Sequence, residues 1–362
     1  MRFLFRADAS VQIGTGHVMR CITLAHELKR KGHQSVFVCR EHTGHLGEFI
    51  VREGFELRLL PKPTSADGTS SDNYASWLGV SWQVDADETL EIAKSYRPDW
   101  LVIDHYALDV KWEVAIRDAV DQVMVIDDLA NRSHDCDVLL DQNLGREALD
   151  YDNLVPDRCS LLVGPEFALL RPEFAALREA SLQRRRAPQL KRVLISLGGV
   201  DQTNVTGQVL DVLKKCELPT DIELDIVMGA SAPHTEEVRI KAEEMPFQAT
   251  VSVNVKDIAR RMCEADLAIG AAGSTSWERC CMGLASVTLI IAENQRFIAE
   301  SLHAAGACLK VSVDRIGTGL STIFSDIVLL NRRSLAQLSA ASAAMCDGLG
   351  AERVVARLTK DD

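Results

Sequence analysis

The chain has no apolar run long enough to cross a bilayer as a helix, so a helical membrane span is not expected. It has no excess of positive charge: 40 Lys and Arg stand against 52 Asp and Glu, a net charge of −12. General nucleic-acid binding is therefore not expected. An anion can still be held locally, by backbone N–H groups where a strand turns into a helix. There is no C-x-x-C pair among its ten cysteines, at positions 21, 39, 136, 159, 216, 263, 280, 281, 308 and 346. Thiols scattered in this way are expected to be reduced core fillers. The opening "MRFLFRADAS" places Asp8 where a secretory leader would need an apolar core. It reads as a first strand, and the protein as cytoplasmic.

What the sequence does have is alternation. Its 362 residues suggest two domains. Short apolar runs at Arg2–Ala7, Ser35–Arg40, Glu56–Leu60, Trp100–Asp104 and Gln122–Asp127 read as strands. Between them lie segments of helical periodicity, such as Val18, Cys21, Ile22, Ala25 and Leu28, and stretches around Leu46–Glu53 and Asp85–Tyr96. Pro61–Tyr74, rich in Pro, Ser, Asp and Gly, is expected to be a loop. The pattern weakens over Tyr151–Arg186, which reads as a connection between domains. It restarts with "KRVLISLGGVDQTN", where a strand at Val193–Leu197 meets a glycine pair and a helix from about Asn204. The expected fold is α/β, with two facing doubly wound, Rossmann-like domains spanning 1–165 and 166–362. Ligands of such sheets bind beyond the carboxyl ends of the strands, which places the expected site in an inter-domain cleft.

Four stretches carry candidate chemistry. The first is "IGTGHVMR", Ile13–Arg20. Gly14 and Gly16 permit a tight turn and close ligand approach, but Met19 stands where a dinucleotide fingerprint needs its third small residue, so no nicotinamide or flavin is expected. His17 falls in the first turn of the following helix, whose positive end favours a neutral imidazole able to take a proton. It is a candidate general base, with a packing or capping histidine as the alternative. The second stretch pairs "VIDHYALD" with "VIDDLANR", which leave Asp104, His105, Tyr106, Asp127 and Asp128 at strand ends. These are either substrate contacts or helix caps. The third is Gly198–Gly199, before a helix whose N-terminus can receive a phosphate. The fourth is "GAAGSTSWE", in which Gly270 and Gly273 free the backbone and Ser274 and Thr275 add hydroxyls. Glu278 follows one turn on, placed either for a ribose diol or for a capping box. The next strand ends in "IAENQ", which brings Asn294 and Gln295 to the same rim. The spellings "DAD" at Asp85–Asp87 and "DCD" at Asp135–Asp137 adjoin no phosphate loop, and no metal is expected.

Taken together, "ADAS", "IGTGHVMRC", "VIDHY", "VIDDLANR", "LISLGGVDQTN", "GAAGSTSWERCCMG" and "IAENQ", in order over about Met1–Leu302, resemble the UDP-sugar hydrolases of pseudaminic acid biosynthesis. That family is related to GT-B glycosyltransferases such as the one that makes lipid II. The resemblance implies a GT-B-like fold and hydrolysis of UDP-2,4-diacetamido-2,4,6-trideoxy-β-L-altrose to UDP and the free sugar, without metal or cofactor. It implies His17 as the base, and Tyr106 and Asn294 near the sugar, joined there by Asp8, Gly14, Gly16 and Gln295. UDP would lie on Gly198, Gly199, Gly273, Ser274, Thr275 and Glu278. The implied partner is a small-molecule UDP-sugar, with no nucleic acid and no membrane, and the chain is expected to be a monomer. Two other readings stay open: a glycosyltransferase of the same fold using a UDP-amino sugar, and a catalytically silent nucleotide-sugar-binding protein.

Overall fold

A computed structural model describes residues 1–63, 74–330 and 332–360; the side chains of 327–330, 332 and 333 are not described. The loop expected over Pro61–Tyr74 therefore lies largely outside the described residues. The chain divides into two compact units, Met1–Leu169 with Gly350–Asp362, and Leu170–Leu349. The division thus falls slightly later than the sequence suggests. The last helix, expected with the second half, belongs to the first unit.

The first unit runs β1 (Arg2–Ala7), α1 (Gly16–Arg30), β2 (Gln34–Arg40), α2 (Gly47–Arg52), β3 (Glu56–Leu60), α3 (Trp82–Tyr96), β4 (Trp100–Asp104), α4 (Val110–Ile116), β5 (Gln122–Ile126), β6 (Val138–Asp141) and β7 (Ser160–Val163). Its seven strands are parallel, in the order β3-β2-β1-β4-β5-β6-β7. The chain winds outward from β1 in one direction and from β4 in the other. The carboxyl ends of those two neighbours form the switch point where such sheets open a crevice. Helices cover both faces, so the central strands are apolar on both sides. Phe3, Phe5, Val102 and Met124 belong to one core and Leu4, Leu101, Ile103 and Val125 to the other.

The second unit runs α5 (Pro172–Arg184), β8 (Arg192–Ser196), α6 (Val205–Leu213), β9 (Glu223–Met228), α7 (Thr235–Glu243), β10 (Gln248–Val253), α8 (Ile258–Glu264), β11 (Leu267–Ala271), α9 (Thr275–Cys281), β12 (Ser286–Ile290), α10 (Arg296–Ala304), β13 (Leu309–Ser312), α11 (Ile316–Leu330) and α12 (Arg332–Met345). Its six parallel strands follow the order β10-β9-β8-β11-β12-β13. The switch point here lies between β8 and β11. The loops "LGGVDQTN" and "AAGSTS" leave the carboxyl ends of those two strands, so both glycine motifs of this half meet at one place.

The segment expected to be a connection does contain the division between the units, but it also holds β7 and α5. β7 is four residues long and pairs on one side only, with β6. Its periodicity is too brief to stand out in the sequence. The last helix, α13 (Gly350–Thr359), packs on α1. It buries Val354, Val355 and Leu358 in the core that also holds Ile22, Ala25 and Leu28. Gly350 allows the approach, since a Cβ there would lie 2.3 Å from the Ala168 carbonyl. Arg353 donates to the Glu166 carbonyl at 2.8 Å, and Arg357 donates to the Ser160 hydroxyl at 2.9 Å. Leu358→Ala should cost about 2–5 kcal/mol. Hydrogen exchange will place the loss: amides of α1 and β1 should exchange faster, while those of β8 and β11 keep their protection.

Candidate functional site

Arrangement at the carboxyl edge of the first sheet begins with a turn. After β1, the Gly14 amide donates to the Ser10 carbonyl at 2.9 Å, and Gly14 takes φ +80°, a region that favours glycine. The turn delivers His17 to the first turn of α1, 7% exposed. There His17 Nδ1 lies 2.6 Å from Asp104 Oδ1, at the end of β4. A carboxylate accepts only, so Nδ1 is the donor in this contact, and in the neutral imidazole the lone pair is then on Nε2. Arg20, one turn along α1, donates from Nε to Asp104 Oδ2 at 2.6 Å and from Nη2 to Oδ1 at 2.7 Å. Its Nη1 reaches Asp128 Oδ2 at 3.1 Å. Burial alone would raise the Asp104 pKa, but Arg20 and His17 outweigh it and hold the carboxyl well below the usual range. Burial and the Asp128 carboxylate hold the Tyr106 phenol well above its usual range, so it keeps its proton. The Tyr106 ring meets the His17 ring edge-on, with centroids 4.6 Å apart. His17, Asp104, Arg20 and Asp128 thus form one connected set, with the Tyr106 ring packed against its histidine.

Two aromatic residues that no sequence motif flagged complete the wall. Trp77 stacks on Tyr106 at 5.6 Å and stands 6.4 Å from His17. Tyr74 lies 5.0 Å from Tyr106. Of the other residues expected near the sugar, Gly14 and Gly16 flank open space.

Asp8 does not fit its expected role. It is fully buried, bound to Arg6 at 2.7 and 2.8 Å, and accepts the Arg40 amide at 2.7 Å. His105 Nε2 stands 3.3 Å away. Arg6 and Arg40 also hold Asp85, each at 2.7 Å, and the Trp112 indole donates to Asp85 at 3.0 Å. A carboxylate so enclosed ties β1 to β2 and has no oxygen to offer a sugar. The first "DAD" aspartate, Asp85, belongs to the same buried network. Asp127 accepts from the Ala130 amide at 3.0 Å and pairs with Arg132 at 2.8 Å, so it closes its own loop.

At the second unit's switch point, Gly198 is exposed with φ +101° and open space around it. Gly199 is also exposed, and its carbonyl lies against Gly229, where a Cβ would come within 1.8 Å. The helix beyond them does not offer the anion site expected of it. Asp201 accepts the amides of Val205 and Thr206 at 2.8 and 2.9 Å, and Asn204 caps Gly207 at 2.9 Å. A carboxylate of the chain already occupies that helix end, where it is stabilised. The "AAGSTS" loop is different. Gly273 has nothing within 4 Å of its Cβ position, Ser274 is exposed, and no side chain caps α9. The capping-box alternative for Glu278 is therefore not formed. Glu278 Oε1 lies 3.6 Å from Arg171. Burial raises its pKa, against the pull of Arg171. Asn294 is exposed at the end of β12. Gln295 accepts the Ile291 amide at 3.1 Å, so its side-chain oxygen shapes the loop.

Among the described residues, no group of three or more His, Cys, Asp or Glu is placed to hold a metal ion. No helix among them is long and apolar enough to cross a membrane. The ten cysteines are free.

Both units are parallel Rossmann-like sheets, and among solved structures the architecture is that of GT-B glycosyltransferases. MurG of Acinetobacter baumannii superposes with a TM-score of 0.70 over 99% of each chain at 18% identity. The spinosyn rhamnosyltransferase SpnG gives 0.66 over 100% of each at 18%. The sequence resemblance is found as well. The chain is 27% identical, over 76% of its length and 86% of the relative's, to the UDP-2,4-diacetamido-2,4,6-trideoxy-beta-L-altropyranose hydrolase of Campylobacter jejuni. It is 29% identical over 54% of its length to the spore coat polysaccharide biosynthesis protein SpsG of Bacillus subtilis. It is 24% identical over 82% of its length to an uncharacterised protein of Methanocaldococcus jannaschii. The match spans only 57% of each of the last two relatives. No family model matches the chain.

One acid of this region titrates near neutrality. Asp141, buried close to Asp128, has its pKa pushed up to about 7, by burial first and by the Asp128 charge second. Its partner agrees: the Tyr151 hydroxyl has one proton but lies 3.1 Å from the Asp127 carbonyl and 2.9 Å from Asp141 Oδ2. A proton on Asp141 satisfies both contacts. Because the folded pKa lies above the unfolded value of about 3.9, the folded state binds the extra proton, and stability falls as pH rises from about 4 through 7. Asp141→Asn should flatten that decline. Melting temperatures should change little at pH 5 and rise relative to wild type at pH 8.

Proposed function

We propose that the chain is a cytoplasmic, metal-independent UDP-sugar hydrolase. Its proposed substrate is UDP-2,4-diacetamido-2,4,6-trideoxy-β-L-altrose, hydrolysed to UDP and 2,4-diacetamido-2,4,6-trideoxy-L-altrose in pseudaminic acid biosynthesis. The observation that carries the chemistry is the 2.6 Å contact of His17 Nδ1 with buried Asp104. A carboxylate that fixes the tautomer and compensates an imidazolium makes Nε2 an effective proton acceptor. The choice of sugar rests on the hydrolase relative.

In this reading UDP occupies the Gly273–Ser274–Thr275 loop, with Glu278 on the ribose diol. The exposed Gly198 and Gly199 backbone adds N–H groups without help from the helix behind it. Asn294, Tyr106 and the Gly14–Gly16 turn meet the sugar. Water attacks the anomeric carbon on the face opposite UDP and gives a proton to His17 Nε2. The anomeric C–O bond breaks, and its electron pair leaves with the diphosphate, whose charge the loop donors stabilise. The configuration inverts. UDP is a good leaving group, so no strong general acid is required. The aromatic wall of Tyr74, Trp77 and Tyr106 limits what else can approach His17, which favours water over a larger acceptor.

The decisive assay supplies the UDP-sugar with no acceptor. UDP release above the rate without enzyme is expected; release at the enzyme-free rate rejects the hydrolase reading in favour of a transferase or a silent binder. His17→Asn should lower kcat by about 10²–10⁴ and leave UDP affinity within about twofold. Asp104→Asn should approach the same loss, because the imidazole then loses its fixed tautomer.

A further inference from the structure

Arg279, one turn into α9, has no part in the chemistry above. It is 3% exposed. No carboxylate among the described residues pairs with it, and its neighbour Glu278 faces Arg171 instead. Nη2 donates to the Ala271 carbonyl at 2.9 Å and to Ser276 Oγ at 3.0 Å, and Nη1 donates to Thr275 Oγ1 at 3.2 Å. Nε has no acceptor among the described residues. Glycine at 270 is what admits the side chain: a Cβ there would sit 2.4 Å from Nη1 and 3.2 Å from the Ser196 carbonyl.

A buried guanidinium without a counter-ion is costly. Burial accordingly draws Arg279 below the usual arginine range. The cavity beside it, bordered by Ser196, Gly270 and Thr275, has a volume of about 10 Å³, room for one water at most. The missing negative charge has no place there. The guanidinium also grips the loop itself, at the Ala271 carbonyl and the Thr275 hydroxyl, with open space at Gly273 between them.

We infer that Arg279 is a positioning residue for a nucleoside diphosphate: it sets the Thr275 hydroxyl and the Gly273 loop from beneath, and its uncompensated charge favours the diphosphate over the bare nucleoside. This rests on the reading that the loop binds UDP. A charge acting from within a low-dielectric wall needs no direct contact to be felt by the anion.

Calorimetric titration of the full chain with UDP and with uridine tests it, using wild type, Arg279→Met, Arg279→Lys and Gly270→Ala. Arg279→Met should weaken UDP by about tenfold or more while uridine stays within about twofold. Arg279→Lys keeps the charge and should hold the UDP-to-uridine preference within about threefold of wild type. Gly270→Ala displaces the guanidinium and should behave like Arg279→Met. Unchanged UDP binding in Arg279→Met, or a parallel loss of UDP and uridine, overturns the inference. If Arg279→Met does not melt cooperatively, the lysine variant decides: a retained preference supports the role of the charge, and a collapsed one overturns it. A wild-type chain that does not prefer UDP to uridine overturns the diphosphate loop itself, and this inference with it.

Discussion

The Asp104 carboxylate is the group around which the first unit is arranged. It lies where β1 and β4 separate, and it accepts from His17 and Arg20, both on α1. Through Arg20 it reaches Asp128, just beyond β5. One ion therefore ties the helix after the first strand to the ends of two others. Removing one member of such a buried set leaves the others uncompensated, at a cost of about 3–5 kcal/mol. Orientation of the histidine and stability of the sheet edge thus rest on the same contacts. That edge cannot loosen without also releasing the imidazole.

The second unit shows how two similar sequence patterns diverge physically. Both "LGGVDQTN" and "AAGSTS" follow a strand and precede a helix. In the first, Asp201 and Asn204 fold back on the helix end, and the positive end of the backbone is used within the chain. In the second, no side chain folds back, and an arginine stands beneath the loop instead. Only in the first is the helix end already filled by a carboxylate of the chain.

Much of this was legible in the sequence. Alternating strands and helices announced two parallel sheets, and the glycine turn announced the helix start that holds His17. Asp104 was visible as a strand-end residue, but its bond to His17 spans 87 positions. It depends on β4 lying next to β1, a neighbour relation that local periodicity does not encode. Asp8 was misplaced for a different reason. Arg6 stands two positions earlier, on the same face of β1, and that spacing was itself a signal for an internal ion pair. Arg279 was hidden because a buried arginine inside "SWERCC" looks like any helix charge until Gly270 is seen to make room for it. Tyr74 and Trp77 sit in a short turn whose approach to Tyr106 has no periodic signature.

The return of α13 has a consequence for how the protein is made. Its residues complete the core beneath α1, yet they follow the whole of the second unit in the chain. During synthesis the second unit is contiguous and emerges with everything it needs. The first emerges earlier and must wait, with the apolar face of α1 uncovered, until the last helix leaves the ribosome. The order of completion is thus the reverse of the order of translation, against the usual N-terminal-first course. The nascent chain carries its exposed patch longest on the helix that bears His17, where a chaperone would have most to cover.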